Sequence, residues 1–430
     1  MRNIFVTAHT LGCKVNQCDT EAVLELLVKQ ITVCKICNFN ENADIYVINT
    51  CTVTHASDKK SRQIIRRARK QNPNAIVAVC GCMALSNPAA AKELGVDFVF
   101  DARKPETFID YIQQIFGDTA NTLSISNGAG TLRTRTRAFV KIQDGCDRFC
   151  AYCIVPYVRG NPKSRPVPDI LNEITGLVAD GVQEIVLTGI QVASYGEDTN
   201  DTNLSALITK ISSTDSLKRL RLSSIEPYAV TDEFLAVAAS SQVLCDHFHL
   251  SLQSGCNATL QRMNRRYTTA EYAKIVEQLR EINPNIALTT DIIVGFPGET
   301  DEEFNQSMVF VKQVGFARIH VFEYSKREGT AAANFPGQVP DKTKTERSKQ
   351  MRDLAALLQT NFYRRQIGKT VPVLFENSKK QNKWVGYTSN YCPVEVYCEI
   401  NLSNIICQVK ITALTQDGLE GVYKQGGRKK

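Results

Sequence analysis

The sequence predicts an α/β protein in three parts: an N-terminal parallel α/β domain, a central partial β/α barrel and a small all-β barrel at the carboxyl end. Three observations carry this. Apolar runs alternate with helical patterns over residues 4–79, a longer alternation occupies 138–322, and after Gly368 only short β-runs follow. Strand–helix alternation implies parallel strands covered by helices.

In the first part, residues 4–8 read as a strand, 17–28 as an amphipathic helix with Val23, Leu24, Leu26 and Leu27 apolar, 45–49 as a strand, 56–70 as a helix and 76–79 as a strand. Cys13, Cys51 and Cys82 fall just after the three strands. Sites in open α/β sheets form outside the carboxyl ends of strands, so these thiols are placed to converge. Residues 118–130 are polar and rich in Gly, Asn, Ser and Thr, as a linker is. The expected division is a first domain at 1–117, a linker at 118–131, a second domain at 132–366 and a third at 367–430.

The second alternation places strands at 138–142, 184–187, 219–222, 247–252, 287–294 and 319–322, with helices at 169–179, 269–282 and 301–314 among them. Six such repeats predict a barrel or partial barrel that works at the carboxyl ends of its strands. A long helix is expected over 343–365. The runs at 371–375, 384–388, 394–397 and 405–411 then suit a small β-barrel.

Composition narrows the function. The 430 residues are 43% hydrophobic and 22% charged, which excludes extended disorder. No run approaches the roughly 20 apolar residues of a membrane span, and residues 1–10 do not read as a secretory signal, so the expected compartment is the cytoplasm, with no membrane partner. A net charge of +7 is mild, and only local basic clusters argue for nucleic acid. Fifteen cysteines in a reducing compartment point to metal or redox chemistry rather than disulfides.

The sharpest motif is Cys146-Asp-Arg-Phe-Cys150-Ala-Tyr-Cys153, directly after the first barrel strand. Three thiolates in one loop suit three irons of a four-iron cubane, with the fourth iron open to another ligand. Zinc, which prefers four ligands at paired spacings, and unconnected core cysteines are the alternatives. This loop resembles the CxxxCxxC signature of radical S-adenosylmethionine (SAM) enzymes. The likeness extends to LGCKVNQ at 11–17, NTCTVT at 49–54 and GCM at 81–83, which are similar to the three cysteine motifs of the methylthiotransferases. KIQDGC at 141–146, IVP at 154–156, Arg159-Gly160, SSIEP at 223–227, LQSG at 252–255 and DIIVGFPGE at 291–299 follow in order. The β-rich end resembles the TRAM module, a small RNA-binding barrel.

Within that family LGCKVNQ, NTCTVT and YSKREGT at 324–330 resemble the subfamily that modifies threonylcarbamoyladenosine in tRNA. Other subfamilies act on isopentenyladenosine in tRNA or on a ribosomal protein. The resemblance implies two 4Fe–4S clusters, one on Cys146, Cys150 and Cys153 and an auxiliary one on Cys13, Cys51 and Cys82, each with an open iron. SAM then serves as radical source and methyl donor, and methylthio is added at C2 of the modified adenine next to the anticodon, at position 37. The cofactors carry this chemistry, so no catalytic side chain is singled out. An electron donor and a sulfur source are further partners without identity. A non-catalytic iron–sulfur RNA-binding protein is the alternative from outside enzymology.

Other residues carry weaker expectations. Cys82 is preferred to Cys80 as the auxiliary ligand, because Cys80 ends a strand and free Cys packs as a small hydrophobe. Cys34-Lys-Ile-Cys37 is a lone CxxC, with packing preferred over a redox or metal role. Gly189 (within Thr188-Gly-Ile190), Glu226, Gln253 and Gly295 sit at or after strand ends and are candidates for SAM or base contact, or for plain turns. Arg327 is a candidate for a bidentate pair with the threonylcarbamoyl carboxylate, or for a surface salt bridge. Lys59, Lys60, Arg62, Arg66 and Arg67 form a basic helix face, read equally as solvated or as a phosphate contact to the tRNA anticodon arm. Arg133, Arg135, Arg137 and 428–430 are further basic candidates.

Overall fold

The computed structural model describes residues 3–31, 34–52, 55–116, 136–376 and 382–424. The expected linker, Val53, Thr54, Arg133, Arg135 and the basic tail 428–430 lie outside these. The chain forms two compact units, the first comprising Met1–Thr134, Gly145–Asp147 and Cys153–Asn161, the second Arg135–Asp144, Arg148–Tyr152 and Pro162–Lys430.

In the first unit β1 (Ile4–Thr10), β2 (Cys34–Ile36), β3 (Ile45–Thr50), β4 (Ile76–Gly81) and β5 (Phe98–Val99) form one sheet in the order β2-β1-β3-β4-β5, every pair parallel. All six residues of β3 are buried, as befits a central strand covered on both faces. Alternation divides its side chains. Ile45 and Val47 pack with Val23, Leu24 and Leu27 of helix Lys14–Gln30 and with Phe108 and Ile112 of helix Glu106–Phe116. Tyr46 and Ile48 pack on the other side with Ile64, Ile65 and Ala68 of helix His55–Gln71. The edge strands β2 and β5 were not expected. They have three and two residues, too few to show a period.

The second unit holds β6 (Arg137–Asp144), β7 (Lys163–Ser164), β8 (Glu184–Gly189) and β9 (Arg219–Leu222) in one sheet, ordered β7-β6-β8-β9. A second sheet contains β10 (Ser224–Ile225), β11 (His247–Leu250), β12 (Ala287–Val294) and β13 (Arg318–Glu323) in sequential order. Only Ser223 separates β9 from β10, and a parallel bridge from Leu220 to Leu244 carries the first sheet toward β11. Six parallel staves result, with β9 and β10 as one bent stave and β7 an antiparallel edge. This is the expected partial barrel. Its outer helices include Val167–Ala179, Thr269–Ile282 and Asp301–Val314, the last two opened by Thr–Glu capping boxes.

The carboxyl end closes into a barrel of β14 (Thr370–Phe375), β15 (Lys383–Thr388), β16 (Pro393–Tyr397), β17 (Ile406–Leu414) and β18 (Leu419–Tyr423), ordered β14-β15-β16-β18-β17. The parallel β16–β18 pair completes the closure. At Gly421 a Cβ would stand 2.3 Å from Val409 Cγ1, so the missing side chain is what lets β18 approach.

The small barrel covers the amino-terminal mouth of the partial barrel. Arg137, Glu184 and Arg219 begin β6, β8 and β9 and are register partners. Glu184, wholly buried, pairs with Arg221 at 2.8 Å, Arg137 at 3.4 Å and Arg219 at 3.6 Å. The guanidiniums are then completed from the small barrel. Arg219 donates to the carbonyls of Tyr387 and Pro372, Arg221 to that of Ser389, and the Tyr391 ring lies 4.4 Å from Arg221 Cζ. The working end is thereby left to the opposite, carboxyl-terminal rim.

Candidate active site

The carboxyl edge of the first sheet carries three thiols. Cys13 precedes helix Lys14–Gln30 as its N-cap, Cys51 follows β3, and Cys82 opens helix Cys82–Ser86 after β4. Cys13 is exposed, while Cys51 and Cys82 are 5% and 6% exposed. Gly12 makes room for them. Its φ is +101°, and a Cβ there would lie 2.9 Å from Cys51 Cβ and from Asn16 Nδ2, and 3.1 Å from Cys51 Sγ. Gly12→Ala is therefore expected to destabilise the first unit by about 2–4 kcal/mol, from left-handed backbone strain plus overpacking. Thermal unfolding of the metal-free protein measures it.

Polar side chains brace this edge. Asn16 Nδ2 donates to the carbonyls of Leu11 and Thr50, and its Oδ1 accepts from Arg159 Nη2 at 2.7 Å and faces Cys13 Sγ at 3.7 Å. Arg159 also pairs with Asp19 at 3.1 Å, both side chains under 5% exposed. Burial pushes the Cys82 thiol up. The Arg159 charge pulls it down, and the nearby Cys51 and Cys13 push it up again. Three neighbouring thiols beside one cation form a soft sulfur donor set, and the space held open at Gly12 suits a bulky group. Among the described residues, however, no three His, Cys, Asp or Glu side chains already stand in metal-holding geometry.

Cys80 is completely buried among Ala78, Phe108 and Ile112, and burial holds its thiol well above the ordinary range. Burial likewise pushes Cys34 up to about 12 and raises Cys37, which makes the CxxC a poor nucleophile pair. None of the fifteen cysteines is in a disulfide.

In the second unit a cavity of about 250 Å³ opens at the rim of the partial barrel, lined by Arg148, Cys150, Glu197, Glu226, Tyr228, Asn264, Arg265, Arg266 and Tyr267. Arg265 organises it. Its side chain is 4% exposed, and Nη1 donates to Glu226 Oε1 at 2.8 Å and to Cys150 Sγ at 3.3 Å. The guanidinium carbon lies 5.0 Å from the Tyr267 ring centroid, and Nη2 is buried with no hydrogen-bond partner among the described residues. Asn264, at φ +59°, donates to the Phe149 carbonyl and holds the cysteine loop in place. Arg148 is bidentate to Glu197 and stands over Tyr228, whose hydroxyl burial pushes up to about 12. A cavity walled by a thiol, two acids, three cations and two aromatic rings suits a zwitterionic ligand with a flat heterocycle. The Cys150 thiol and the unsatisfied guanidinium nitrogen of Arg265 fit a metal-bound amino acid here.

The remaining candidates separate. Of Gly189, Glu226, Gln253 and Gly295, only Glu226 lines this cavity. Gln253, at φ +69°, bonds through its backbone to Asp291 and Ile293. Gly295 donates its N–H to Glu299, and a Cβ there would meet Lys344 Cγ at 2.4 Å. Gly189 closes β8 against Gln143, whose backbone oxygen would stand 3.1 Å from a Cβ there. Arg327 is largely buried, at 9% exposed. On helix His55–Gln71, Lys59, Lys60, Arg66 and Arg67 are exposed and Arg62 half-buried, but Arg67 is bound to Asn40 and stacked over Phe39. Arg265 and Arg159 were missed as site residues. Each acts on partners far along the chain, and spacing carries no signal of that. The one available clue to Arg265 is the turn-forming Asn264 before it.

Comparison with known proteins agrees with this geometry. The Radical SAM superfamily matches residues 140–311, and the family described as Uncharacterized protein family UPF0004 matches 5–101. The threonylcarbamoyladenosine tRNA methylthiotransferase MtaB of Bacillus subtilis (strain 168) is 39% identical, covering 94% of this chain and 93% of its own. The tRNA-2-methylthio-N(6)-dimethylallyladenosine synthase of Caldicellulosiruptor saccharolyticus is 35% identical over 96% and 91%. Among solved structures, the radical S-adenosylmethionine methyltransferase TsrM of Kitasatospora setae, with tryptophan substrate and a SAM analog bound, superposes with a TM-score of 0.56. It covers 75% of this chain and 73% of that one at 14% identity, a likeness of fold. With such identity to methylthiotransferases over nearly its whole length, the chain belongs to the radical SAM methylthiotransferase family.

Proposed function

We propose that this protein adds a methylthio group to C2 of N6-threonylcarbamoyladenosine at position 37 of tRNA, using two 4Fe–4S clusters and SAM. The observation that carries the substrate is the 39% identity, end to end, with a relative named for that nucleoside. Cys146, Cys150 and Cys153 would hold the radical SAM cluster, and Cys13, Cys51 and Cys82 the auxiliary one. When bound, the clusters and SAM supply hydrogen abstraction, sulfur and methyl.

The chain's own groups bind and orient. Arg265 bonds Cys150 and Glu226 together and presents its remaining N–H groups to an anionic ligand group such as a carboxylate. Glu226 is placed to accept from an ammonium or a hydroxyl of the same ligand. Tyr228 and Tyr267 give the cavity apolar walls that exclude water. Arg327, buried in the YSKREGT segment, is proposed for the threonylcarbamoyl carboxylate. Lys59, Lys60, Arg62 and Arg66 are proposed to meet tRNA phosphates together with the terminal barrel. We keep the three-domain division, with domains at 1–117, 132–366 and 367–430. Among the described residues no helix is long and apolar enough to cross a membrane. The proposed setting is the cytoplasm, where an electron donor and a sulfur source complete the partners.

Nucleosides digested from tRNA after anaerobic reaction with reconstituted protein, SAM and reductant test the reading. 2-Methylthio-threonylcarbamoyladenosine is the expected product. The isopentenyladenosine derivative in its place, or unchanged tRNA alongside SAM cleavage, sinks the substrate assignment. No cleavage at all sinks the enzyme.

A further inference from the structure

Arg159 lies outside the cysteine motifs, yet it is buried at the auxiliary site. A buried guanidinium is costly unless its charge and donors are used. Its Nη2 donates to Asn16 Oδ1 at 2.7 Å and to Asp19 Oδ2 at 3.1 Å. Asn16 in turn faces Cys13 and ties the carbonyls of Leu11 and Thr50, which lie beside Cys13 and Cys51. Its backbone is engaged as well. The Arg159 carbonyl accepts from Arg103 at 2.6 Å, and the next carbonyl, of Gly160, accepts the N–H of Cys146 at 2.9 Å. One short segment thus braces the auxiliary thiols with its side chain and Cys146 with its main chain.

Resting on the two-cluster reading, we infer that Arg159 and Asp19 are a positioning pair that sets the charge felt by the auxiliary cluster and fixes the thiol loop through Asn16. The pair is neutral as a whole, but it is the guanidinium that bonds Asn16, the residue facing Cys13, and its charge bears on Cys82. In a water-poor pocket, neutralising either member leaves the other charge unscreened. The two substitutions therefore act in opposite directions. Arg159→Gln leaves a buried carboxylate and disfavours the reduced, more negative cluster. Asp19→Asn leaves a buried cation and favours it.

The test uses the full-length chain carrying Cys146→Ala, Cys150→Ala and Cys153→Ala, so that iron in it reports the auxiliary site alone. Redox titration followed by electron paramagnetic resonance is expected to show Arg159→Gln lowering and Asp19→Asn raising the reduced-to-oxidised ratio by roughly tenfold. That is about 59 mV each for a one-electron couple. Arg159→Lys is expected to stay near the parent. Unmoved potentials in cluster-bearing variants, or shifts of one sign, overturn the inference and leave the two-cluster reading standing. If Arg159→Gln takes up no iron, the upward shift of Asp19→Asn decides. A parent that binds no iron overturns both.

Discussion

Arg265→Met is expected to slow the release of 5′-deoxyadenosine from SAM by about 100-fold. The guanidinium bonds both the Cys150 thiol and the Glu226 carboxylate in the cavity wall. Its loss leaves the Glu226 carboxylate without its cation in the pocket wall and removes the donor aimed at the ligand. Hydrogen bonds to charged groups are worth about 1.5–3 kcal/mol, and the upper end suits a buried fork. By the tenfold-per-1.36 kcal/mol rule, that upper end is roughly two orders of magnitude. Arg265→Lys keeps the charge but not the fork, and recovers part of the rate. Assays of 5′-deoxyadenosine at matched iron content measure the effect. A parental rate in Arg265→Met would mean that SAM sits elsewhere.

Glu184→Ala is expected to cost the second unit about 3–5 kcal/mol, because it strips Arg219 and Arg221 of their carboxylate inside the protein and leaves Arg137 only Glu376. Removing one partner of a buried ionic cluster is the costly case, whereas replacing a whole cluster with apolar groups is often neutral. Burial pushes the Glu184 carboxyl up, but Arg221, Arg137 and Arg219 outweigh it and hold the group below its ordinary value near 4.5. The sign follows. This stabilisation is complete above the unfolded value and is lost as pH falls through the lower folded one, so wild type should lose stability below about pH 4.5. Glu184→Gln should flatten that part of the profile. Denaturant melts at pH 7 and along an acid series measure both, and an unchanged midpoint at pH 7 removes the cluster from the fold's energetics. The same cluster bears on the terminal barrel. Deleting residues after Gly368 would strip Arg219 and Arg221 of their carbonyl partners, so RNA binding by that barrel is better tested with surface substitutions.

The architecture was readable where burial imposes a period. The continuous apolar run of β3, the helix at 269–282 and the strand at 287–294 announce themselves because each must hide a face along its whole length. The fifth strand of the terminal barrel, Leu419–Tyr423, was missed because it alternates Leu, Gly and Tyr with Glu and Val, and glycine carries no hydrophobic signal. The cysteine loop was legible because its three thiols are neighbours in the chain.

By itself, then, the sequence determined the strand–helix order, the six cysteines with their spacing, and the family those motifs belong to. Only the tertiary structure decided which charged groups serve them. Arg159 reaches Asn16 across 143 residues, Arg265 reaches Cys150 across 115, and Glu184 gathers three guanidiniums from the two strands beside its own. The physical reason is common to all three. An apolar face repeats and leaves a pattern in the chain, whereas a buried charge needs only a few partners, and those are chosen by the folded backbone rather than by distance along it.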